Sequence, residues 1–499
     1  MMSVSKLASS TNRRVSSSMM RTILPLLLPL CACDPSRDGT DDIIVAVDNS
    51  AITLSLRNPT VDADPTEAVT SMRIDVVVDG EVLDSESFDY PGGTPELNGV
   101  SEYGVVRFEV AGTDGSSVRS FGRSAELVIE PGEDLWVPIT FLPVNRVFAL
   151  EASMVQPRSE HEAITLPDGR IMLLGGHNPG RSASYPDIET YDYYEGVFSS
   201  PGASLDVGVA ATQWAWTGES ELLIIGGENA TDGPQNGIWS YEPVQDTITL
   251  ISSLIMPRSN HCAAQYIDNS IIVLGGPKTD NSGDLLRYYT AEASWSSTLV
   301  GFQNGMSSEN TTGCGVASDG RVFVMGVDQY TTGILDPFSG TGIGEGFQPI
   351  AASAAGTYVS DALVINIDPD VFWIGGGIDI DANTVTSEGQ EFRMDSAGFV
   401  TGTPLATPRQ GASWTDWIED DWIAVACGFS DVSSRNSVNK VELLAPALGE
   451  KGPTVDLDRA RPGCGVSTLP DGALLITGGF ETGSSDPASA AIMVPYIDG

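Results

Sequence analysis

Three histidines are the scarcest chemistry-bearing residues in this 499-residue chain. Two of them sit in matching segments, Arg158-Ser159-Glu160-His161 and Arg258-Ser259-Asn260-His261, and recurrence in phase favours a structural role. His177 follows a glycine pair and has no partner visible in the sequence. The run Asp379-Ile380-Asp381-Ala382-Asn383 alternates oxygen ligands like the start of a calcium loop, but Thr384 stands where glycine is expected and Gln390 where a closing glutamate would be. Asp379, Asp381 and Asn383 are thus the calcium candidates, set against a plain solvated acidic loop. Trp414, Trp417 and Trp422 cluster around Glu419-Asp420-Asp421, a group able to stack on a sugar or anchor a protein, or to serve as core plus turn. No Gly-x-Ser-x-Gly elbow, His-Glu-x-x-His helix or phosphate loop is present.

Charge narrows the partners. The chain carries 67 acids against 25 Lys and Arg, for a net charge of −42, so a nucleic acid would be repelled almost everywhere. Four cations and no acid lie in residues 1–32, all of them ahead of the run Ile23-Leu24-Pro25-Leu26-Leu27-Leu28-Pro29-Leu30. That run is far shorter than the ~20 residues a membrane-spanning helix needs and reads as the core of a secretory signal. Leu30-Cys31-Ala32-Cys33 then resembles a bacterial lipoprotein box, with Cys33 as lipid acceptor and first mature residue. Residues 33–42 are expected to tether the folded part to the cell envelope, with acyl chains supplying the membrane contact.

Two units must position any site. From 43 to 143 short stretches alternate with period two, as in Ala51-Ile52-Thr53-Leu54-Ser55-Leu56, between turns such as Asp79-Gly80. This predicts a small immunoglobulin-like β-sandwich, without a disulfide, acting as a spacer or adhesive module. From 145 onward an apolar strand ending in glycine recurs, with first glycines or their equivalents at 175, 226, 275, 325, 375, 427 and 478. The steps are 51, 49, 50, 50, 52 and 51, so seven similar units follow one another. Arg158, Arg258 and Arg461 stand seventeen residues before their glycines and Arg409 eighteen before Cys427. Copies four and six carry Met325-Gly326 and Cys427-Gly428 in place of the glycine pair, and looser packing is expected there. The last copy ends almost at the terminus, so Arg146 to Leu150 is expected to add its outer strand.

The double glycine, the hairpin before it and the aromatic or large apolar residue after it (Tyr191, Tyr241, Tyr289, Phe392) resemble the kelch-repeat β-propeller family over 145–499. The resemblance implies an all-β, seven-bladed ring on which neighbouring sheets cover one another. The ring's four cysteines allow two disulfides or free buried thiols. Adjacency of the copies favours Cys262 with Cys314 and Cys427 with Cys464. Copper oxidases of the galactose oxidase type share this fold but need two histidines, two tyrosines and a crosslinking cysteine, and only three histidines are present. No cofactor is therefore expected. The reading is of a monomeric binding scaffold whose loops take a protein or glycan. Its alternatives are a carbohydrate-active enzyme of epimerase or lyase type, using carboxylate and arginine groups in the funnel, and a structural envelope component.

Overall fold

The computed structural model describes residues 41–497 apart from positions 48–49, 94, 98–99, 101–103, 131–133, 218–220, 255, 277–284, 290–293, 299–310, 327–331, 338–346, 351–357, 418–420, 434–435 and 480–487. The export signal, Cys33 and all but the last two tether residues lie outside the described residues. The described chain is all-β, and none of its helices is long and apolar enough to cross a membrane.

Residues 41–143 form two sheets face to face. One runs in the order Glu96–Leu97, Asp41–Val47, Ser50–Arg57, Leu135–Thr140; the other in the order Leu142–Pro143, Val118–Arg123, Val105–Thr113, Ser71–Val78, Glu81–Asp89. Alternation decides which side chains meet between them. Ile52, Leu54 and Leu56 from the first sheet and Met72, Ile74, Val76, Phe108 and Val110 from the second share one buried core. Two pairings in the first sheet are parallel, Ser50–Arg57 with Leu135–Thr140 and Asp41–Val47 with Glu96–Leu97. The first of these sets the start of the unit beside the strand that leads out of it.

Seven four-stranded antiparallel sheets follow, the first six built in chain order from the innermost strand outward and the seventh taking its outer strand from earlier in the chain. The first sheet holds Glu162–Thr165, Ile171–Leu174, Glu189–Asp192 and Val197–Ser199. The innermost strands of the second to seventh sheets are Gln213–Thr217, Cys262–Gln265, Thr311–Val316, Leu363–Asp368, Ser413–Asp416 and Gly465–Thr468. Their second strands are apolar on both sides because both sides are covered. In the first sheet Ile171 and Leu173 enter a core with Leu475 and Ile492 of the seventh, while Met172 and Leu174 enter one with Leu222 and Ile224 of the second. Separate cores join second to third, third to fourth, fourth to fifth, fifth to sixth and sixth to seventh sheets. The circle is complete: each neighbouring pair shares one core.

The ring closes with chain from before its first sheet. Val147–Ser153 pairs antiparallel with Ser489–Met493, Val147 opposite Met493, and becomes the outer strand of the seventh sheet. The Asn145 amide donates to Tyr496 O at 2.7 Å and its Oδ1 accepts from Tyr496 N at 3.0 Å. Deleting residues 145–151 strips this edge and uncovers Phe148 and Leu150 of the shared core. Calorimetry is expected to show a sharply lower melting temperature, and an unchanged melt contradicts this closure.

Glycine is required where sheets approach. Gly478 has φ +58, and a Cβ there would lie 2.2 Å from Arg158 O of the next sheet. The repeat alignment needs one adjustment: in the fifth copy the residues with positive φ are Gly376 and Gly377, since Gly375 still belongs to its strand. In the sixth copy a cysteine fills the first glycine position. Cys427 adopts φ 62 in place of glycine, is fully buried and is bonded to Cys464 at the entry to the seventh sheet, with Cα atoms 5.9 Å apart. The close approach is kept one residue later, where a Cβ on Gly428 would lie 2.7 Å from Gln410 O.

The two-sheet unit packs on the ring rather than hanging from it. Ala111, Phe121 and Leu142 join the core between the first and seventh sheets. Arg57 donates to Tyr193 O and Tyr194 O at 2.7 and 3.0 Å, Tyr193 OH donates to Pro138 O at 3.0 Å, and Thr140 N donates to Asp471 Oδ2 at 3.1 Å. These contacts fall at the hairpin turns of the first and seventh sheets, the ends opposite the glycine pairs.

Candidate active site

The in-phase arginines are clamps. Arg158 is fully buried; its Nη1 donates to Gly175 O at 2.8 Å and its Nη2 to Glu189 Oε1 at 2.6 Å. Glu189 also accepts Val155 N and Gln156 N at 2.7 and 3.0 Å. The sixth sheet repeats the device: Arg409 reaches Cys427 O at 3.0 Å and pairs with Glu442, which accepts Ala406 N and Thr407 N. In the seventh, Arg461 donates to Gly478 O at 3.1 Å and pairs with Asp458; in the third, Arg258 donates to Gly275 O at 3.0 Å. Each guanidinium thus ties the segment entering a sheet to the glycine end of its second strand. Arg158, Arg409 and Arg461 are buried in ion pairs with carbonyl contacts and Arg258 is buried against a carbonyl, so these four have no face left for substrate.

His161 and His261 serve the same ends. His161 Nε2 lies 2.9 Å from Thr477 Oγ1, and a Cβ on Gly478 would touch its ring. His261 packs likewise against Gly226, but Ile225 stands where the other has threonine, and neither ring nitrogen has a hydrogen-bond partner among the described residues. Burial, and after it the charge of Arg158 or Arg258, holds both imidazoles down at about 3. The sign follows: both stay neutral in the fold, so their contribution to stability is complete above the ordinary value of 6.5 and is lost as pH falls from there toward about 3. His261→Leu is expected to flatten the fall of melting temperature over that window. Parallel wild-type and variant curves contradict this.

The remaining candidates are dispersed. His177 Nδ1 lies 3.2 Å from Ser184 Oγ, the partner that the sequence hid. Asp379 Oδ1 accepts Ala382 N at 2.9 Å inside a hairpin of Ile378–Asp379 with Thr384–Val385, so it closes its own turn, and Asp381 and Asn383 are exposed. The tryptophan cluster is split. Trp417 is 5 % exposed, donates to Gly472 O at 2.8 Å and lies under Arg123; Trp422 packs in the core between the sixth and seventh sheets. Trp414, on the innermost strand of the sixth sheet, is 37 % exposed and alone of the three presents a broad surface. Cys262 and Cys314 form a disulfide between the innermost strands of the third and fourth sheets, with Cα atoms 5.8 Å apart.

One carboxylate stands apart from these structural roles. Glu162 opens the innermost strand of the first sheet, half-buried and opposite Leu174 at the glycine end. Ile164 shares its face and enters the core toward the second sheet, so Glu162 faces that gap as well. From the second sheet Trp214 Nε1 donates to Glu162 Oε2 at 3.4 Å, and half-buried Trp216 lies on the same face as Trp214. Burial pushes the Glu162 carboxyl up to about 7, against the opposing pull of the Trp214 hydrogen bond. A group that exchanges protons at neutral pH, at the glycine end of the inner strands, can serve as general acid or base. A sequence signal existed: the same position in other copies is Gln213, Cys262, Ser413 or Gly465, so Glu162 departs from its repeat.

No protein-family model and no curated protein matches the chain. Among solved structures, a fungal alcohol oxidase of the AA5 family in complex with copper is similar in fold, with TM-score 0.54 at 14 % identity, over 68 % of this chain and 75 % of that one. The likeness is one of architecture, all-β and galactose-oxidase-like. It corrects the expectation of a binding scaffold: the solved protein of like fold is an enzyme. The glycine end of the first sheet's innermost strand also holds a carboxylate suited to proton transfer.

Proposed function

We propose that the protein is a carbohydrate-active enzyme of epimerase type in which Glu162 moves the proton. The observation that carries this is the half-buried Glu162 in hydrogen-bond contact with Trp214, its carboxyl pushed up to about 7 by burial, with Trp216 further along the same face of the neighbouring strand. As carboxylate it takes a proton from a sugar carbon next to a carbonyl. As acid it returns one, so product and substrate are isomers and no oxidant is consumed. The indoles supply flat apolar surface for a sugar ring. A lyase acting on uronates is less well served, because its substrate carboxylate needs a free cation and the in-phase arginines are buried. Seven sheets with seven shared cores support a seven-bladed kelch-type propeller, and the two face-to-face sheets an immunoglobulin-like sandwich before it. Export and anchoring through Cys33 complete the reading and place the enzyme at the cell envelope.

Copper does not suit these residues. His161 and His261 are held at different sheet junctions, His177 contacts Ser184, and the four cysteines of the ring form two disulfides. Among the described residues no group of three or more His, Cys, Asp or Glu can hold a metal ion. The test is solvent exchange: in deuterated water the wild-type protein is expected to introduce deuterium at one carbon of a reducing sugar in a panel of hexoses and hexosamines, and E162Q is not. A panel without incorporation removes the proposal.

A further inference from the structure

We propose that the groove between the outer strands of the sixth and seventh sheets binds a short, extended, acidic segment of a partner protein. The segment's backbone pairs with the free edge of the sixth sheet, and a carboxylate of the segment meets Arg146. The groove has a volume of about 410 Å³. Residues 145–147, where the closing strand begins, line one side; residues 453–456 of Glu450–Asp456, the outer strand of the sixth sheet, line the other. Its floor is apolar, because Val147 and Val455 pack on the core that the two sheets share. It lies on the outer rim, whereas Glu162 stands on an innermost strand, so the proposal does not rest on the enzyme reading.

Backbone direction supplies the pairing groups. Antiparallel pairing turns the N–H and C=O of successive residues alternately toward and away from the neighbouring strand. Leu457 N donates inward to Asn439 O, so Thr454 and Asp456, opposite Glu442 and Lys440, direct their backbone groups outward. Among the described residues no strand pairs beyond this edge. The seventh sheet's edge is already covered in part, since Ala149 O accepts from Val61 N and Glu151 N donates to Pro59 O. Pro453 has no N–H and interrupts the sixth edge, which leaves room to pair a short segment and stops open-ended sheet addition by a second copy. Charge selects an acidic one. The Arg146 guanidinium has no ion pair or hydrogen bond among the described residues and lies 5.0 Å from the centre of the Phe148 ring. Lys440, Lys451 and Arg459 match Glu450, Asp456 and Asp458 along the sixth sheet's edge, so the groove escapes the acid excess of a chain at −42. A carboxylate pairs with a guanidinium through two parallel hydrogen bonds, and Val147 and Val455 take an apolar side chain beside it.

The probes are a dye-labelled pentapeptide, Glu-Thr-Val-Thr-Glu, which places its charged and apolar side chains on one face, its Gln-Thr-Val-Thr-Gln counterpart, a backbone N-methylated form of the first, and a labelled galacturonate tetramer. Binding to the full protein is read by fluorescence anisotropy at neutral pH. The glutamate peptide is expected to bind about fivefold or more tighter than the glutamine one, the upper end of what an exposed ion pair supplies. That advantage should shrink with added salt and vanish in R146Q, whose melting temperature is expected to match wild type. N-methylation, which keeps the charge and blocks the pairing, should weaken binding to the same degree or more. Equal binding of the glutamate and glutamine peptides, an unchanged affinity in R146Q, or full binding of the N-methylated form overturns the proposal. So does tighter binding of the galacturonate tetramer, which would make the groove a site for acidic glycans, or binding of no probe.

Discussion

Glu162→Gln is expected to slow deuterium entry into the sugar by about 10²–10⁴-fold, the usual contribution of a positioned acid or base. Glutamine keeps the shape and can still meet Trp214, so the fold is expected to survive and the loss to fall on turnover. Stability supplies an independent reading of the same residue. The folded carboxyl sits at about 7 against an ordinary 4.5, so the fold favours the protonated form. Its contribution is complete below 4.5 and is lost as pH rises from there through about 7. Wild type should lose stability across that window relative to E162Q. A variant that turns over normally, or two parallel stability curves, would remove Glu162 from its assigned role.

Arg158→Met is expected to cost about 3–5 kcal/mol, the range for breaking one side of a buried ion pair. Methionine retains the apolar stem but leaves Glu189, 1 % exposed in its side chain, as an uncompensated buried carboxylate. It also removes the donor from Gly175 O at the junction of the first and second sheets. Arg393→Met is the control: that side chain is 51 % exposed and its pair with Glu391 belongs to the surface class, worth about 0–1 kcal/mol. Denaturant unfolding monitored by tryptophan fluorescence compares the two. Equal effects, or a loss under about 1 kcal/mol for Arg158→Met, would show that the clamps do not carry the ring.

The period of the glycines made the ring legible because each sheet needs the same close approach, and that need leaves a residue type at a fixed step. The same reasoning located the closing strand: a last copy with only three strands must borrow a fourth. The arginines showed their phase but not their task, since their partners are a backbone carbonyl and a carboxylate on the third strand, Glu189 or Glu442, that the sequence does not align conspicuously. The tryptophan cluster misled for a similar reason. Trp414 lies on the innermost strand and Trp417 just beyond its end, at the turn it closes with Trp422, and Trp417 is covered by Arg123, more than 250 residues earlier in the chain. Glu162 was hidden by what makes it useful. A single carboxylate among strands of alternating character has no motif, and its raised proton affinity comes from burial, which outweighs the opposing hydrogen bond from an indole of the next sheet; both are long-range effects.

The proposed proton transfer depends on the protonation of that one side chain. Carbon-13 labelling of glutamate carboxyls, followed by NMR titration of wild type and E162Q, reads it directly. One resonance with a midpoint at about 7 is expected in wild type and none there in the variant. A wild-type spectrum in which every glutamate titrates below about pH 5, the ordinary range, would contradict it.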